Sequence, residues 1–366
     1  MRQYKEIKIG GTNDGHGNGV IIGGTHPISV QSMCNIPFSR LEELKTQALA
    51  LQKAGCDILR VSVPDKESAE KFSELKKVLD IPLVADIHFD YTLALASINA
   101  GADKIRINPG NIGKNRIAEV AAAAKAKKIP IRVGVNGGSL EKELLKKYGA
   151  PTPEALAESA LQNVKMLEEC GFFDIVVSIK SSDVRTMVET YRIFDEQNTE
   201  RYPLHLGVTE AGTMLSGTVK GSVGIGTLLL DGIGSTIRYS LTDDPINEIY
   251  AAKTLLKSLG LAGGAEIISC PTCGRTTVNS IELASKLEKA LSNVEKNIKI
   301  AVMGCVVNGI GESREADFGV TGANGKYIIF KKGAENKVEI IKRDISEDEI
   351  FGEVLAAVDK LCADRD

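Results

Sequence analysis

The chain has 366 residues, of which 43% are hydrophobic and 25% charged, as in ordinary globular proteins. Its formal net charge of −3 excludes a global basic field that would hold nucleic acid or an anionic lipid surface. No apolar run approaches the length of a membrane-spanning helix, and the first residues lack the apolar core of a signal peptide. The odd cysteine count favours a reducing compartment. We therefore expect a cytoplasmic protein without a nucleic-acid or membrane partner.

From residue 28 onward, short runs rich in Val and Ile alternate with segments of helical periodicity. These runs predict eight buried parallel strands, over 28–33, 57–63, 81–89, 103–110, 129–137, 173–180, 202–210 and 235–241. Apolar residues at helical spacing predict helices over 41–55, 66–79, 115–128, 153–171 and 244–260. This alternation favours an α/β fold, a (β/α)8 TIM barrel. The rival is a doubly wound open sheet, which would normally show a Gly-rich fingerprint after its first strand.

The glycines of residues 9–24 match neither that fingerprint nor a phosphate-binding loop, and we interpret them as a hairpin closing the bottom of the barrel. Near residues 259–266 the alternation stops. The sequence therefore predicts a barrel domain over 1–262 and a smaller α+β domain over 263–366. The second domain has predicted strands at 266–270, 298–307, 326–332 and 337–343, and predicted helices at 278–294 and 346–361.

Five cations occur within or at the ends of predicted barrel strands: Arg60, Arg106, Arg132, Lys180 and Arg238. A cation in a strand buried on both faces is costly unless it is paired. Each could pair with a barrel carboxylate such as Asp86. The set as a whole favours an anionic ligand at the C-terminal mouth, and guanidinium groups suit a phosphate or diphosphate.

Polar side chains stand beside these cations at the strand ends, where TIM barrels carry their catalytic residues. The candidates are Asp86, Asn136, Thr209, Glu210 and Ser240. Glu210 could exchange a proton with a ligand or could serve as an ion-pair partner for a barrel cation. His88 is not assigned proton transfer.

Cys270 and Cys273 form a Cys-Pro-Thr-Cys motif at the start of the second domain, and Cys305 follows 32 residues later. Cys34, Cys56, Cys170 and Cys362 are interpreted as structural residues. Three thiolates suit zinc or a 4Fe–4S cluster, but both prefer a fourth ligand, and no His follows residue 205. The next hard ligand is Glu312, a weak partner for cluster iron. Zinc and iron–sulfur both stay open at this point.

The motifs "VQSM", "AGCDILRVSVP", "IPLVADIHFDY", "DKIRINPGNIG", "GVTEAG", "SCPTCGRT" and "AVMGCVVNGIGE" together resemble the bacterial 4-hydroxy-3-methylbut-2-enyl diphosphate synthases of the methylerythritol phosphate route to isoprenoids. The resemblance runs nearly end to end. It implies reductive ring opening and dehydration of 2-C-methyl-D-erythritol 2,4-cyclodiphosphate with two electrons from flavodoxin or ferredoxin. It also implies a head-to-tail homodimer.

The same resemblance implies a role for each candidate residue. Glu210 would be the catalytic residue. Cys270, Cys273, Cys305 and Glu312 would hold a 4Fe–4S cluster. Arg60, Asp86, Arg106, Arg132, Asn136, Lys180, Thr209, Arg238 and Ser240 would bind the substrate. Two positions depart from the family pattern, since Cys34 stands where Thr is usual and Ile310 where Pro is usual.

Two functions from other classes remain possible on the sequence. Lys180 motivates a Schiff-base aldolase barrel with a structural zinc domain. A non-catalytic metal-binding partner protein is the third reading, and the buried cations argue against it.

Overall fold

The structure is a computed structural model, and it describes residues 2–11, 18–292, 294, 296–309, 316–333 and 338–363. The chain forms two compact units, Met1–Leu261 and Ala262–Asp366. Within the described residues, no helix has both the length and the apolar character needed to cross a membrane.

The first unit contains a parallel eight-stranded sheet with helices packed around it. The strands are β3 (Ser29–Met33), β4 (Ile58–Ser62), β5 (Leu83–Asp86), β6 (Lys104–Ile107), β7 (Ile131–Asn136), β8 (Ile175–Lys180), β9 (His205–Leu206) and β10 (Thr236–Ile237). They pair in the order β8-β7-β6-β5-β4-β3-β10-β9. A parallel bridge between Val177 and Leu204 joins the two outer strands and closes the ring. The predicted TIM barrel is therefore confirmed, and the open-sheet rival is excluded.

The helices of this unit mostly follow the strands in alternation, as the barrel requires. They are α1 (Leu41–Lys53), α2 (Lys66–Lys76), α3 (Tyr91–Asn99), α4 (Pro109–Ile112), α5 (Lys114–Lys127), α6 (Lys142–Tyr148), α7 (Pro153–Glu169), α8 (Val184–Gln197), α9 (Met214–Leu230) and α10 (Pro245–Ser258). Asp65, Asp183 and Asp244 each accept a hydrogen bond from a first-turn N–H and so set where α2, α8 and α10 begin.

A hairpin of β1 (Ile7–Ile9) and β2 (Val20–Ile22) closes the lower end of the barrel. Ile7, Ile9 and Ile22 are buried in one cluster with inward-facing apolar residues of the barrel strands: Ile58, Val84 and Val176. The predicted hairpin is therefore confirmed, although the tip at 12–17 lies outside the described residues. Apolar residues of the hairpin therefore cover this end of the barrel.

Five of the barrel helices, α3, α4, α6, α8 and α9, were absent from the sequence prediction, and α9 shows one reason. Its sequence is apolar and glycine-rich, so it lacks a clear polar face. A Cβ at Gly221 would lie 2.6 Å from the Tyr239 ring, and one at Gly224 would lie 2.9 Å from Val208. The glycines let α9 approach the barrel strands closely, and this tertiary gain outweighs their poor helix propensity.

The second unit is a mixed five-stranded sheet with helices, as the α+β prediction requires. Its elements are β11 (Ala265–Ser269), α11 (Ser280–Ala290), β12 (Ile298–Met303), α12 (Val306–Gly309), β13 (Phe318–Ala323), β14 (Lys326–Lys332), β15 (Val338–Ile345) and α13 (Glu347–Ala363). β11, β12 and β13 run parallel, while β14 and β15 continue the sheet antiparallel. Buried apolar residues of α11 and α13 form its core with the sheet.

Candidate active site

The strand register stacks the inward side chains of the barrel in layers, each contributed by alternate strands. The lowest layer contains Ile58, Lys104, Val176 and Thr236. The next contains Gln31, Val84, Arg132 and His205. Above these lies a layer of Arg60, Arg106, Ser178 and Arg238. The layer at the mouth contains Ser62, Asn108, Lys180 and Ser240. All five predicted cations therefore face the interior. Lys180 lies in the mouth layer, Arg60, Arg106 and Arg238 lie in a layer below it, and Arg132 lies deeper still.

Asp86 lies between two of these cations. Arg106 Nη1 donates to Asp86 Oδ1 at 3.3 Å, and Arg60 Nε lies 3.9 Å from Oδ2. Arg106 Nη1 also lies 3.3 Å from His88 Nδ1, which must then accept, so the other ring nitrogen carries the proton and faces Asp86 at 3.5 Å. Burial alone would raise the pKa of Asp86. The charge of Arg60, the His88 hydrogen bond and the charge of Arg106 outweigh burial and hold this pKa well below its ordinary value.

Glu248 of α10 is the second buried carboxylate at the site, and the sequence analysis missed it. Arg238 donates to it from Nε at 3.1 Å and from Nη2 at 3.0 Å, a two-pronged ion pair. The Ser32 hydroxyl and the Leu241 backbone N–H also donate to this carboxylate. A glutamate on the apolar face of a predicted helix was the signal that could have identified it, because such a residue must be paired when buried.

Arg132 and Lys180 have no ion pair to any carboxylate among the described residues. Burial and the charges of Arg238 and Arg60 lower the pKa of Lys180 well below its ordinary value. Burial and the neighbouring arginines likewise lower the pKa of Arg60, to about 10, despite Asp86. Five cations thus face two carboxylates, and this surplus of positive charge suits a polyanionic ligand at the mouth.

Two glycines provide the room that these cations occupy. A Cβ at Gly134 would lie 2.2 Å from Arg106 Nε, and the Gly134 carbonyl accepts from Arg106 Nη2 at 3.3 Å. A Cβ at Gly207 would lie 2.9 Å from Lys180 Nζ and 2.6 Å from the Arg238 carbonyl oxygen. The backbone of β7 and the segment after β9 therefore require glycine, because the long side chains of their neighbours pass directly over them.

Glu210 follows β9 and is exposed, with a left-handed backbone φ of 51°. A non-glycine residue in this region carries local strain, which is frequent where a side chain is aimed at a ligand. Thr209, the residue before Glu210, is half-buried, and so is Ser240 in the mouth layer. Asn136 is the last residue of β7. These residues lie at the carboxyl ends of the barrel strands. A ligand bound to the cations at the mouth would lie at the same end of the barrel.

Three of the four cysteines of the second unit, Cys270, Cys273 and Cys305, follow the ends of two adjacent parallel strands. Cys270 follows β11 and Cys305 follows β12 after Gly304, and β11 pairs with β12 along its length. The Gly304 N–H donates to Cys270 Sγ at 3.3 Å. The Thr277 N–H donates to the Gly304 carbonyl at 3.0 Å, which ties the segment after Cys273 to the β12 end.

The thiols are free, and that of Cys273 is exposed. Hydrogen bonds from the Arg275 backbone lower the pKa of Cys273, which favours the thiolate form that binds metals. Within the described residues, no three His, Cys, Asp or Glu side chains converge as a metal-holding group. Glu312, the predicted fourth ligand, lies outside the described residues, as does Ile310. Three cysteine thiolates are soft donors that suit either an iron–sulfur cluster or zinc, and the fourth ligand stays a prediction.

The other cysteines occupy packed positions, as predicted. Cys34 is 5% exposed and burial raises its pKa to about 12, while burial raises that of Cys56 still further. Cys170 and Cys362 are partly buried against the two apolar cores. Raised thiol pKa values keep Cys34 and Cys56 protonated and poorly reactive.

Comparison with known proteins gives matches over almost the whole chain. The GcpE TIM-barrel domain family matches residues 12–253, and the GcpE protein C-terminal domain family matches residues 266–360. The 4-hydroxy-3-methylbut-2-en-1-yl diphosphate synthase (flavodoxin) of Caldanaerobacter subterraneus subsp. tengcongensis is 51% identical, over 98% of this chain and 97% of its own. The protein of that name from Clostridium perfringens is 51% identical, over 98% and 99%. Among solved structures, a dihydropteroate synthase from Stenotrophomonas maltophilia shows 13% identity and a TM-score of 0.47, over 65% of this chain and 95% of that one.

Proposed function

Since the chain belongs to the GcpE family of 4-hydroxy-3-methylbut-2-en-1-yl diphosphate synthases, we propose that it catalyses the reaction these relatives are named for. It opens the ring of 2-C-methyl-D-erythritol 2,4-cyclodiphosphate reductively and releases water, in isoprenoid precursor biosynthesis. The overall reaction takes up two electrons and two protons, and one oxygen atom leaves as water. The observation that carries the proposal is the surplus of cations at the barrel mouth, which matches a diphosphate.

The five barrel cations supply the binding energy for the diphosphate. Arg60 and Arg106 are already oriented by Asp86, and Arg238 by Glu248, so little side-chain entropy is lost when the phosphates bind. Lys180 and Arg132 add charge that no described carboxylate offsets. Asn136, Thr209 and Ser240 offer neutral hydrogen-bonding groups around the ligand.

Glu210 is the proposed proton donor to the leaving hydroxyl. It is exposed after β9, at the carboxyl ends of the barrel strands, so a ligand at the mouth could reach its carboxyl group. General acid catalysis of this kind contributes a factor of about 10² to 10⁴ to a rate. The role is tested by Glu210→Gln, which preserves shape and removes the proton.

Cys270, Cys273, Cys305 and Glu312 are the proposed ligands of a 4Fe–4S cluster. Two of these cysteines sit at neighbouring strand ends, and the third has a thiolate-favouring environment. When bound, such a cluster supplies electrons one at a time at low potential. The relatives are named as flavodoxin enzymes, and flavodoxin or a ferredoxin is the proposed donor here. The head-to-tail homodimer implied by the resemblance stays a prediction, tested by light scattering on a size-exclusion column.

Anaerobic purification followed by cluster reconstitution tests the proposal directly. We expect a brown protein with about four irons per chain that converts the cyclodiphosphate when reduced flavodoxin is added. A colourless protein without iron after reconstitution would refute the proposal. The aldolase alternative is disfavoured by the family membership, and borohydride trapping of a substrate on Lys180 would be the result that revives it.

A further inference from the structure

The ring of strands closes between β8 and β9, a junction that we call the barrel seam, and a tyrosine hydroxyl replaces one backbone hydrogen bond there. The Val177 N–H donates to the Pro203 carbonyl at 3.0 Å, next to the bridge that closes the ring. The bonds of a parallel ladder advance two residues at a time along each strand. The next one would therefore join the Ile179 N–H to the His205 carbonyl. Both groups bind Tyr191 instead.

Tyr191 belongs to α8, which packs outside the strands, and its side chain is fully buried. Its hydroxyl accepts from the Ile179 N–H at 2.9 Å and donates to the His205 carbonyl at 2.5 Å. Burial raises the pKa of Tyr191 to about 12, so the hydroxyl keeps the proton that it donates. Backbone pairing resumes further along, where the Thr209 N–H donates to the Ser181 carbonyl at 3.2 Å. A single oxygen atom therefore sets the separation of the two strands at this point of the barrel seam.

This hydroxyl lies beside a cation of the proposed diphosphate site. Lys180 directly follows Ile179 in β8, and its side chain faces the barrel interior. A Cβ at Gly207 would lie 2.9 Å from Lys180 Nζ and 3.3 Å from Cε, so the lysine crosses the barrel seam over the segment after β9. Gly207 is close in the chain to His205, the acceptor of the Tyr191 hydroxyl. The strand separation at Tyr191 therefore decides how much room the Lys180 ammonium has over the Gly207 backbone.

We propose that Tyr191 is a positioning residue for the diphosphate site and acts through Lys180. The inference rests on the proposed function, in which Lys180 binds a phosphate group. Without the hydroxyl, the Ile179 N–H and the His205 carbonyl lose their partner inside the barrel wall. A buried polar group without a partner is unfavourable, so the two strands move together to complete the ladder. This movement presses the Lys180 side chain against the Gly207 backbone and displaces the ammonium from the position that suits a phosphate.

The substitution Tyr191→Phe tests the proposal, with Tyr239→Phe as the matched control. Tyr239 is 1% exposed and its hydroxyl lies 2.8 Å from that of Ser222 on α9, so the control also removes a buried hydroxyl from the barrel. Both variants should lower the Tm by about 3 °C. Isothermal titration of the reconstituted full chain with inorganic diphosphate should show about tenfold weaker binding for Tyr191→Phe alone, because a charged hydrogen bond to the ligand is weakened. A loss of affinity in both variants, or in neither, would overturn the proposal.

A double-mutant cycle identifies the residue through which Tyr191 acts. Lys180→Met removes the ammonium and leaves the other four cations in place. In that background, Tyr191→Phe should change diphosphate affinity by less than about twofold. A loss as large as in the wild-type background would show that Tyr191 acts elsewhere, and would overturn the proposal. Wild-type protein that binds no diphosphate would refute the proposed function and this inference together, whereas wild-type binding that Tyr191→Phe leaves unchanged refutes the inference alone.

Discussion

Gly134→Ala is expected to displace the Arg106 guanidinium by adding a single methyl group, and so to weaken diphosphate binding. The new Cβ would lie 2.2 Å from Arg106 Nε and 2.7 Å from Nη2, so the guanidinium has to move by about 1.2 Å to reach ordinary contact. Its hydrogen bonds to Asp86 and to the Gly134 carbonyl, both at 3.3 Å, are already near the limit of such contacts. Both are broken by a shift of this size.

Hydrogen bonds of charged groups contribute about 1.5–3 kcal/mol each, and long ones fall at the lower end. We therefore expect Gly134→Ala to lower the free energy of unfolding by about 3 kcal/mol. Losing one well-placed guanidinium contact to the ligand costs about 2 kcal/mol, which corresponds to about 30-fold weaker diphosphate binding. Isothermal titration with inorganic diphosphate and thermal unfolding measure the two effects separately.

The matched control is Gly226→Ala on α9. This glycine is also buried, but its Cβ would meet Leu255 at 3.4 Å, an ordinary contact. Alanine favours a helix interior, so this variant should bind diphosphate like the wild type and be equally or more stable. If Gly134→Ala binds diphosphate within about twofold of the control, the close approach of Arg106 to the β7 backbone does not matter for the site.

Four further predictions concern single residues. Glu210→Gln should lower kcat by at least about 100-fold with little change in KM, and full turnover in steady-state assays would remove Glu210 from proton transfer. Glu248→Gln weakens a two-pronged buried ion pair and should destabilise the fold by about 3 kcal/mol in urea titration, whereas a loss below about 0.5 kcal/mol would show that Arg238 does not depend on it. Because the native pKa of Asp86 is depressed, its contribution to stability is present above its unfolded pKa near 3.9 and is lost as the pH falls towards the native value. The stability difference between wild type and Asp86→Asn should thus be constant above about pH 5 and shrink below about pH 4, and a gap that widens in acid would contradict the sign. Cys305→Ser should lose most iron after reconstitution while Cys362→Ser keeps it, and equal iron contents would exclude Cys305 as a ligand.

The sequence predicted the barrel well because its strands are short apolar runs, whose burial on both faces leaves a strong signal. It predicted the cations for the same reason, since Arg106 or Arg132 inside such a run is conspicuous. Their partners were less visible. Asp86 lies in a strand and was found, but Glu248 lies on a helix far along the chain, and only the folded barrel brings it to Arg238.

The buried side chain of Lys104 shows a second limit of sequence-based prediction. Lys104, in the run "DKIRINPG", has no partner nearby in the sequence that would mark it as buried and unpaired. Its position follows only from the strand register, which places it facing inward one layer beneath Arg132, across the ring from Thr236. Helix α9 is a third case. Its glycines allow close packing against Tyr239, and local helix propensity does not predict this contact.

The hairpin floor also has a consequence for how the chain is made. Ile7 and Ile9 are synthesised well before one of the residues they pack against, Val176. Tyr4 is likewise synthesised well before Asp195, to which its hydroxyl donates at 2.6 Å. At roughly 5–20 residues per second, the N-terminal strands stay without their final partners for on the order of ten seconds. These two strands are therefore open to chaperones while the later barrel strands are being made, and they reach their final packing only after those strands have formed.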